Sequence, residues 1–215
     1  MRAIGILLAL SFVGTAVADF QPLSWTNDAF AGSGSDSDYG GPGGFFSSLT
    51  VSADGASSSS TLMGGALSYT HSFTLSSGID DDSGLASSAF FYQAAEFSID
   101  SPTSLLINGS LGSLLGNGQA NVFWRLESED GDLFGEGSYS TFDTDYQIVA
   151  LPFELPDILV GLSPGTYTFY LSGELQSEGD ISGTMELSFL VPSPDSWLLG
   201  LLGIGFLAVR RSVLR

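Results

Sequence analysis

His71 is the only histidine of the 215-residue chain, and the chain contains no cysteine, so few kinds of catalytic or metal chemistry are open to it. A single histidine excludes zinc sites built from several histidines, and it leaves any serine–histidine nucleophile dependent on one residue. In an alternating segment, His71 falls on the same face as Tyr69 and Phe73. We therefore expect a buried core residue and not a catalytic one.

Glutamates offer a second kind of chemistry, the acid and the nucleophile of a glycoside hydrolase. The candidates are Glu96, Glu127, Glu154 and Glu174. Such a pair is defined by the distance between its two carboxylates, which the sequence does not encode. We expect the protein to be non-enzymatic.

Clustered acids suggest calcium, which is bound by carboxylate oxygens and would offset part of the negative charge of the chain. The clusters are Asp36 with Asp38; Asp80, Asp81 and Asp82; and Glu129 with Asp130 and Asp132. None has the spacing of an EF-hand loop. Asp80, Asp81 and Asp82 are the first candidates for a calcium site, because three adjacent carboxylates repel one another. The alternative is that all these acids lie in solvated turns.

The charge of residues 19–190 limits the possible partners. A single basic residue, Arg125, stands against twenty-three acidic residues, which gives a net charge of −22. Such a surface repels nucleic acid and anionic lipid, so neither is expected as a partner. Without cysteine this region has no disulfide and depends on its hydrophobic core.

The elements that must position these residues are strands, because the apolar pattern has period two. Leu67, Tyr69, His71, Phe73 and Leu75 alternate with Ser and Thr, and residues 122–126, 167–171 and 181–191 repeat the design. Further strands are predicted at residues 45–53, 90–99, 104–111, 133–142 and 146–154. About nine short strands predict an all-β fold, a two-sheet antiparallel β-sandwich of the jelly-roll type.

Between the predicted strands lie stretches rich in turn residues. Residues 31–44 are rich in Gly, Ser and Asp and are expected to form a loose loop, and the serines at 57–60 a polar loop. Asp130 and Gly131 predict the tight turn of a hairpin over residues 121–142, because Asp-Gly tolerates the positive φ that such a turn needs.

Residues 1–18 have the composition of a secretory signal peptide. Arg2 supplies a positive charge, residues 3–13 form an apolar run, and Ala16 and Ala18 fit the small-residue rule of signal peptidase. The mature chain is therefore expected to begin at Asp19, and the domain over residues 19–190 to be exported.

Residues 191–215 form a tail with three parts. The first is a proline-spaced motif that is held extended, and it consists of Val191, Pro192, Ser193, Pro194, Asp195 and Ser196. An apolar run over about residues 196–209 predicts a short transmembrane helix. Arg210, Arg211 and Arg215 follow the run and would hold the carboxyl terminus on the cytoplasmic side.

This tail resembles the PEP-CTERM sorting signal of Gram-negative bacteria in its Pro-x-Pro motif, in residues 197–203 (WLLGLLG) and in the pair Arg210 and Arg211. Ser193 stands where the namesake motif has Glu. The resemblance implies recognition by exosortase, a membrane protease-transpeptidase. It also implies a precursor tethered in the inner membrane, with its domain in the periplasm, that later reaches the cell surface or the medium. The alternative is a simple C-terminal membrane anchor.

The resemblance carries a function class as well, because such sorting systems accompany exopolysaccharide production. We expect a cell-surface or extracellular-matrix protein associated with exopolysaccharide or biofilm. The alternative is a carbohydrate-binding module or a lectin-like adhesin, with or without calcium. A row of solvent-facing Trp or Tyr would favour the alternative, and Trp25, Tyr39 and Tyr92 are its candidate members.

The intact mass of protein recovered from its native envelope or medium tests both processing steps. We expect a chain that begins at Asp19 and ends near Pro194, and replacement of Pro192 and Pro194 by alanine should retain the full tail in the membrane. Exported material that still contains Met1 would contradict signal cleavage. A wild-type chain that keeps its tail in a host with exosortase would favour the simple anchor.

Overall fold

The structure is a computed structural model that describes residues 20–42, 46–65, 67–79, 86–112, 114–116, 118–140 and 153–190. The predicted signal peptide, Asp19, the sorting tail and the candidate calcium residues Asp80, Asp81 and Asp82 lie outside the described residues. In the described ranges the regular secondary structure is entirely β-strand, and they contain no helix of the length and apolarity that crossing a membrane requires.

The strands form two antiparallel sheets. In chain order they are β1 (Phe20–Ala31), β2 (Gly34–Gly40), β3 (Phe46–Ala53), β4 (Ala56–Gly64), β5 (Ser68–Ser77), β6 (Ser88–Ile99), β7 (Thr103–Leu111), β8 (Leu115–Gly116), β9 (Gln119–Ser128), β10 (Leu133–Ser140), β11 (Phe153–Leu162), β12 (Gly165–Gln176) and β13 (Gly179–Leu190). The first sheet has the order β10-β9-β12-β6-β1-β2, and the second has the order β11-β7-β13-β5-β4-β3, with β8 beside β13. This confirms the predicted all-β fold of two antiparallel sheets. The jelly-roll connectivity stays a prediction.

The core lies between the sheets, because each strand turns alternate side chains inward. Phe73 of β5 and Phe91 of β6 stack across this space with ring centroids 4.2 Å apart. Gly183 lies opposite Phe73 in the second sheet, and Gly173 lies opposite Phe91 in the first. A Cβ atom on Gly183 would lie 2.7 Å from the Phe73 ring, and one on Gly173 would overlap the Phe91 ring. The stack therefore depends on a glycine on each side of it.

A buried polar cluster links the two sheets, and it consists of Asn27, Ser47, Ser60 and Gln93, which we call the buried amide cluster. Gln93 Nε2 donates to Asn27 Oδ1 at 3.2 Å and to Ser60 Oγ at 3.1 Å. Asn27 Nδ2 donates to Ser47 Oγ at 2.9 Å, and Ser60 Oγ donates to Asn27 Oδ1. Because buried polar groups require partners, these bonds fix which residues of β1, β3, β4 and β6 face inward.

His71 extends this cluster and is fully buried, as the sequence predicts. Its Nδ1 lies 3.1 Å from Gln93 Oε1, an oxygen that can only accept, so Nδ1 carries the proton. Its Nε2 has no hydrogen-bond partner among the described residues. Burial lowers the pKa of His71 to about 4, although the bond to Gln93 acts in the opposite direction. His71 is therefore a neutral core residue at physiological pH.

The two predicted loops are wrong, because both stretches belong to sheets. β2 occupies most of the described part of residues 31–44 and pairs with β1. The serines at 57–60 lie in β4, where the hydroxyls of the last three find partners within the fold. Ser58 Oγ donates to the carbonyl oxygen of Phe90 at 2.8 Å, Ser60 belongs to the buried amide cluster, and Ser59 lies 3.2 Å from the Thr50 hydroxyl. A polar composition is compatible with a central strand when its hydroxyls are paired in this way.

Other predicted elements are confirmed. Asp130 and Gly131 form the turn between β9 and β10, with Gly131 at a φ of 84°. The Gly131 N–H donates to the Ser128 carbonyl at 2.9 Å. Of the strand predicted at residues 146–154, only the last two residues are described, and there β11 begins. β1 is a strand that the sequence pattern did not indicate.

The depressed pKa of His71 predicts an acid-dependent loss of stability. The unfolded chain takes up a proton near pH 6.5 but the folded chain does so only near pH 4, so this contribution is complete above pH 6.5 and is lost as the pH falls toward 4. A difference of this size corresponds to roughly 3 kcal/mol in the free energy of unfolding.

Urea unfolding of wild-type protein and of His71→Asn at several pH values tests this prediction, since the carboxylates titrate in both chains. We expect the gap in unfolding free energy between them to change by about 3 kcal/mol from pH 7 to pH 4, to the disadvantage of the wild type. Leu62→Ala, at the residue opposite His71 in β4, is the control and should show a constant gap. A constant gap for His71→Asn as well would contradict the assignment.

Candidate functional site

The outer faces of the two sheets carry different chemistry. The strand alternation that fills the core turns short hydroxyl side chains outward on the second sheet and aromatic and acidic side chains outward on the first. The two faces are therefore two separate candidate binding surfaces.

The second sheet carries rows of serine and threonine across neighbouring strands. One row consists of Ser48, Thr61, Ser72, Thr184 and Ser110, and the next of Thr50, Ser59, Thr74 and Ser182. All of these residues except Ser48 and Thr50 line an open groove of about 380 Å³. Several hydroxyls bond to each other across strands, with oxygen–oxygen distances of 3.0 to 3.3 Å. The two rows are themselves uncharged and offer a ligand only hydroxyl hydrogen bonds, several of which are already shared between strands.

The first sheet presents six aromatic side chains on its outer side. They are Phe30 of β1, Tyr39 of β2, Phe90 and Tyr92 of β6, Phe123 of β9 and Tyr170 of β12, and we call this surface the aromatic face. Tyr39 is 81% exposed, and Phe30 and Phe123 are 37% and 38% exposed. Six aromatic residues on the solvent side of one sheet are more than solubility favours, which marks this surface as a candidate binding site.

Four of the six aromatic rings on this face form two neighbouring pairs. The rings of Tyr92 and Tyr170 have centroids 6.3 Å apart, and those of Phe30 and Phe90 lie 5.6 Å apart. Burial raises the pKa of Tyr92, and the neighbouring Tyr170, Asp28 and Glu127 raise it further. Burial also raises the pKa of Tyr170. Both phenols therefore stay protonated at neutral pH and can donate hydrogen bonds.

A row of small side chains separates two of the tyrosines. Tyr39 lies opposite Thr26, Thr26 opposite Ala94, and Ala94 opposite Tyr170. Tyr39 and Tyr170 are thus three strand spacings apart, about 14 Å at the usual distance between strands. Because Thr26 and Ala94 have short side chains, there is room above them, between the rings of Tyr39 and Tyr170, for a ligand that lies across the strands.

Carboxylates border this room on both sides. Asp28 lies opposite Tyr92 on one side, and Glu96 lies opposite Ser24 on the other. Ser24 Oγ donates to Glu96 Oε2 at 2.6 Å, which holds that carboxylate in place. On the far side of Tyr170, Arg125 forms an ion pair with Glu127 at 2.8 Å. The face therefore combines flat rings, phenol donors and carboxylate acceptors.

The glutamates considered for hydrolysis fall partly on this face. Glu96 and Glu127 lie on either side of Thr168, and Glu174 lies opposite Phe90. Glu96 and Glu127 stand two strands apart on an open surface, and Glu174 belongs to the strand between theirs, β12. The absence of enzymatic activity stays a prediction.

The acidic clusters considered for calcium are separated in the fold. Asp36 and Asp38 belong to the edge strand β2, whereas Glu129, Asp130 and Asp132 belong to the turn after β9, where Ser128 Oγ accepts from the Asp132 N–H at 3.1 Å. Within the described ranges no three acidic or histidine residues are grouped as metal ligands would be. Because the first candidates lie outside those ranges, calcium binding stays a prediction.

Two of the three aromatic residues proposed from the sequence lie on the aromatic face, namely Tyr39 and Tyr92. The prediction is wrong for the third, Trp25. Its side chain does not face solvent but is partly buried and packs against the core beside Gly40. Sequence reasoning did not single out Tyr170 or Phe123. The alternation could have indicated them. Each directly adjoins a buried core residue in sequence, Phe169 in one case and Trp124 in the other, so its own side chain must point outward.

No family model and no curated protein matches the chain. Among solved structures, it is similar to the enzymatically active domain of bacteriophage CBA120 tailspike protein 4, with a TM-score of 0.36 and 12% identity over 67% of this chain and 19% of that chain. It is also similar to TmCBM61 in complex with β-1,4-galactotriose, with a TM-score of 0.31 and 12% identity over 60% of this chain and 73% of that chain. A third similar structure, of infectious bursal disease virus Gx strain, has a TM-score of 0.26 and 12% identity over 80% and 57% of the two chains.

Proposed function

We propose that this chain is an exported, non-enzymatic surface or matrix protein that binds a polysaccharide on its aromatic face. The observation that carries the proposal is the set of six aromatic side chains on the solvent side of the first sheet, above all the neighbouring Tyr92 and Tyr170. The domain would be delivered by its signal peptide and its sorting tail to the compartment in which exopolysaccharide accumulates.

Sugar rings suit such a surface physically. One face of a pyranose carries C–H groups with slight positive charge, which favours contact with the negative face of an aromatic ring. The sugar hydroxyls need partners at the ring edges, and the phenol groups of Tyr92 and Tyr170 and the carboxylates of Asp28 and Glu96 can supply them. A surface with both kinds of group can hold a polar ligand without a deep pocket.

The hydroxyl rows of the second sheet are less suited to binding a polysaccharide. Their side chains are neutral, short and bonded to each other, so a sugar would gain no stacking and would have to displace existing bonds and water. The aromatic face is for that reason the preferred site. Substitutions in the groove of the second sheet can serve as controls.

Substitution on the two faces tests the proposal. Tyr92→Ala and Tyr170→Ala should each weaken polysaccharide binding about threefold to tenfold, because an aromatic contact contributes roughly 0.5 to 1.5 kcal/mol. Thr74→Ala and Ser182→Ala on the second sheet should bind like the wild type. Titration calorimetry with full-length protein in nonionic detergent, against neutral, amino and acidic polysaccharides, gives the affinities, and unchanged thermal midpoints show that the variants fold.

The proposal would be contradicted by a protein that binds none of these polysaccharides. It would also be contradicted if the two threonine and serine variants lost as much affinity as the two tyrosine variants.

A further inference from the structure

We infer that the polysaccharide bound on the aromatic face carries protonated amino groups, an inference that rests on the proposed function and names its ligand class. The charge around the aromatic rings is strongly negative. Among the described residues, the carboxylates on this face are Asp28, Glu96, Glu127, Glu136 and Glu174, and Arg125 is its single cation.

Arg125 does not neutralise the face, because acids of the same sheet already compensate its positive charge. Arg125 pairs with Glu127 at 2.8 Å and lies opposite Glu136, so two acids of its own sheet stand beside the positive charge. Asp28 and Glu96, which border the room between Tyr39 and Tyr170, have no basic residue on the neighbouring strand positions. An acidic polysaccharide would be repelled from this surface.

A neutral polysaccharide would also fit less well than a cationic one. Its hydroxyls would replace the water around Asp28 and Glu96 with neutral hydrogen bonds, but they would supply no opposite charge to the carboxylates. An ammonium group instead donates charge-assisted hydrogen bonds to these oxygens. The same group gains attraction from a nearby ring face, and Asp28 lies directly opposite Tyr92.

The spacing of the acids favours a polymer over a single metal ion. Glu96 and Glu127 lie on opposite sides of Thr168, so their strands are two spacings apart, about 10 Å. Calcium takes about six to eight oxygen ligands at about 2.3 to 2.6 Å, and no three acidic or histidine residues of the described ranges are grouped as its ligands would be. A chain of amino sugars presents one ammonium group on each ring and can meet several separated carboxylates at once, which raises its overall affinity.

Calorimetry with three oligosaccharides of equal length tests this inference: a glucosamine hexamer, an N-acetylglucosamine hexamer and cellohexaose. The experiment uses full-length protein in nonionic detergent, at mildly acidic pH, where sugar amines are protonated and carboxylates remain ionised. We expect the amino hexamer to bind about tenfold or more tightly than the other two, because each charge-assisted bond contributes strongly. Its affinity should also fall as salt is added.

Matched substitutions separate a specific site from the general attraction of a polycation to an acidic protein. Asp28→Asn with Glu96→Gln should abolish the preference, so that the amino hexamer binds no more tightly than the neutral hexamers. Asp180→Asn with Glu186→Gln removes the same charge from the exposed outer side of the second sheet and should leave the preference in place.

Three other outcomes would contradict the inference or the proposed function. If a neutral hexamer binds as tightly as the amino hexamer, the aromatic face still binds glycans but the amino selectivity is wrong. If the second-sheet pair lowers the preference as much as the aromatic-face pair, the attraction is general and the inference is overturned. If no hexamer binds, the proposed function fails as well.

Discussion

The buried amide cluster is the constraint on which the rest of the structure depends. Asn27 and Gln93 lie opposite each other in β1 and β6, and both bond to Ser60 of the second sheet. A strand shifted by one residue would bury the next side chain in place of the amide, and the amide would then lack its partners. The residues that would turn inward in such a shift are Asp28 and Tyr92, a charge and a phenol that the core could not accommodate. The same bonds that specify the core therefore keep these two side chains on the surface.

From this fixed register the two outer faces follow by alternation alone. Phe91 enters the core and stacks on Phe73, so its neighbours Phe90 and Tyr92 must face solvent. On the second sheet the same rule exposes rows of short hydroxyls, several of which pair with each other, and the acids Asp180 and Glu186 of β13 lie on that face as well. The asymmetry between the faces supports placing the proposed polysaccharide site on the first sheet.

The sequence predicted those strands in which apolar and polar residues alternate strictly, such as β5, β12 and β13. It missed β4, because four consecutive serines give no contrast between inward and outward positions, and only the partners of Ser58 and Ser60 reveal their burial. The candidate site was predictable only in part. Tyr39 and Tyr92 stood out by residue type, but the approach of Tyr170 to Tyr92 depends on the pairing of β6 with β12, which are distant in sequence. Trp25 was misplaced for the same reason, since its burial depends on how β1 and β2 meet.

The central claim, that ligand covers the outer side of the first sheet, is tested most directly by hydroxyl-radical footprinting with and without the glucosamine hexamer. Oxidation of Tyr92, Tyr170 and Phe123 should fall when the hexamer is bound. Phe46 and Met63, which are 67% and 49% exposed on the second sheet, should be oxidised equally in both samples and serve as the internal reference. Protection of Phe46 and Met63 with no change at the three aromatic-face residues would contradict the account.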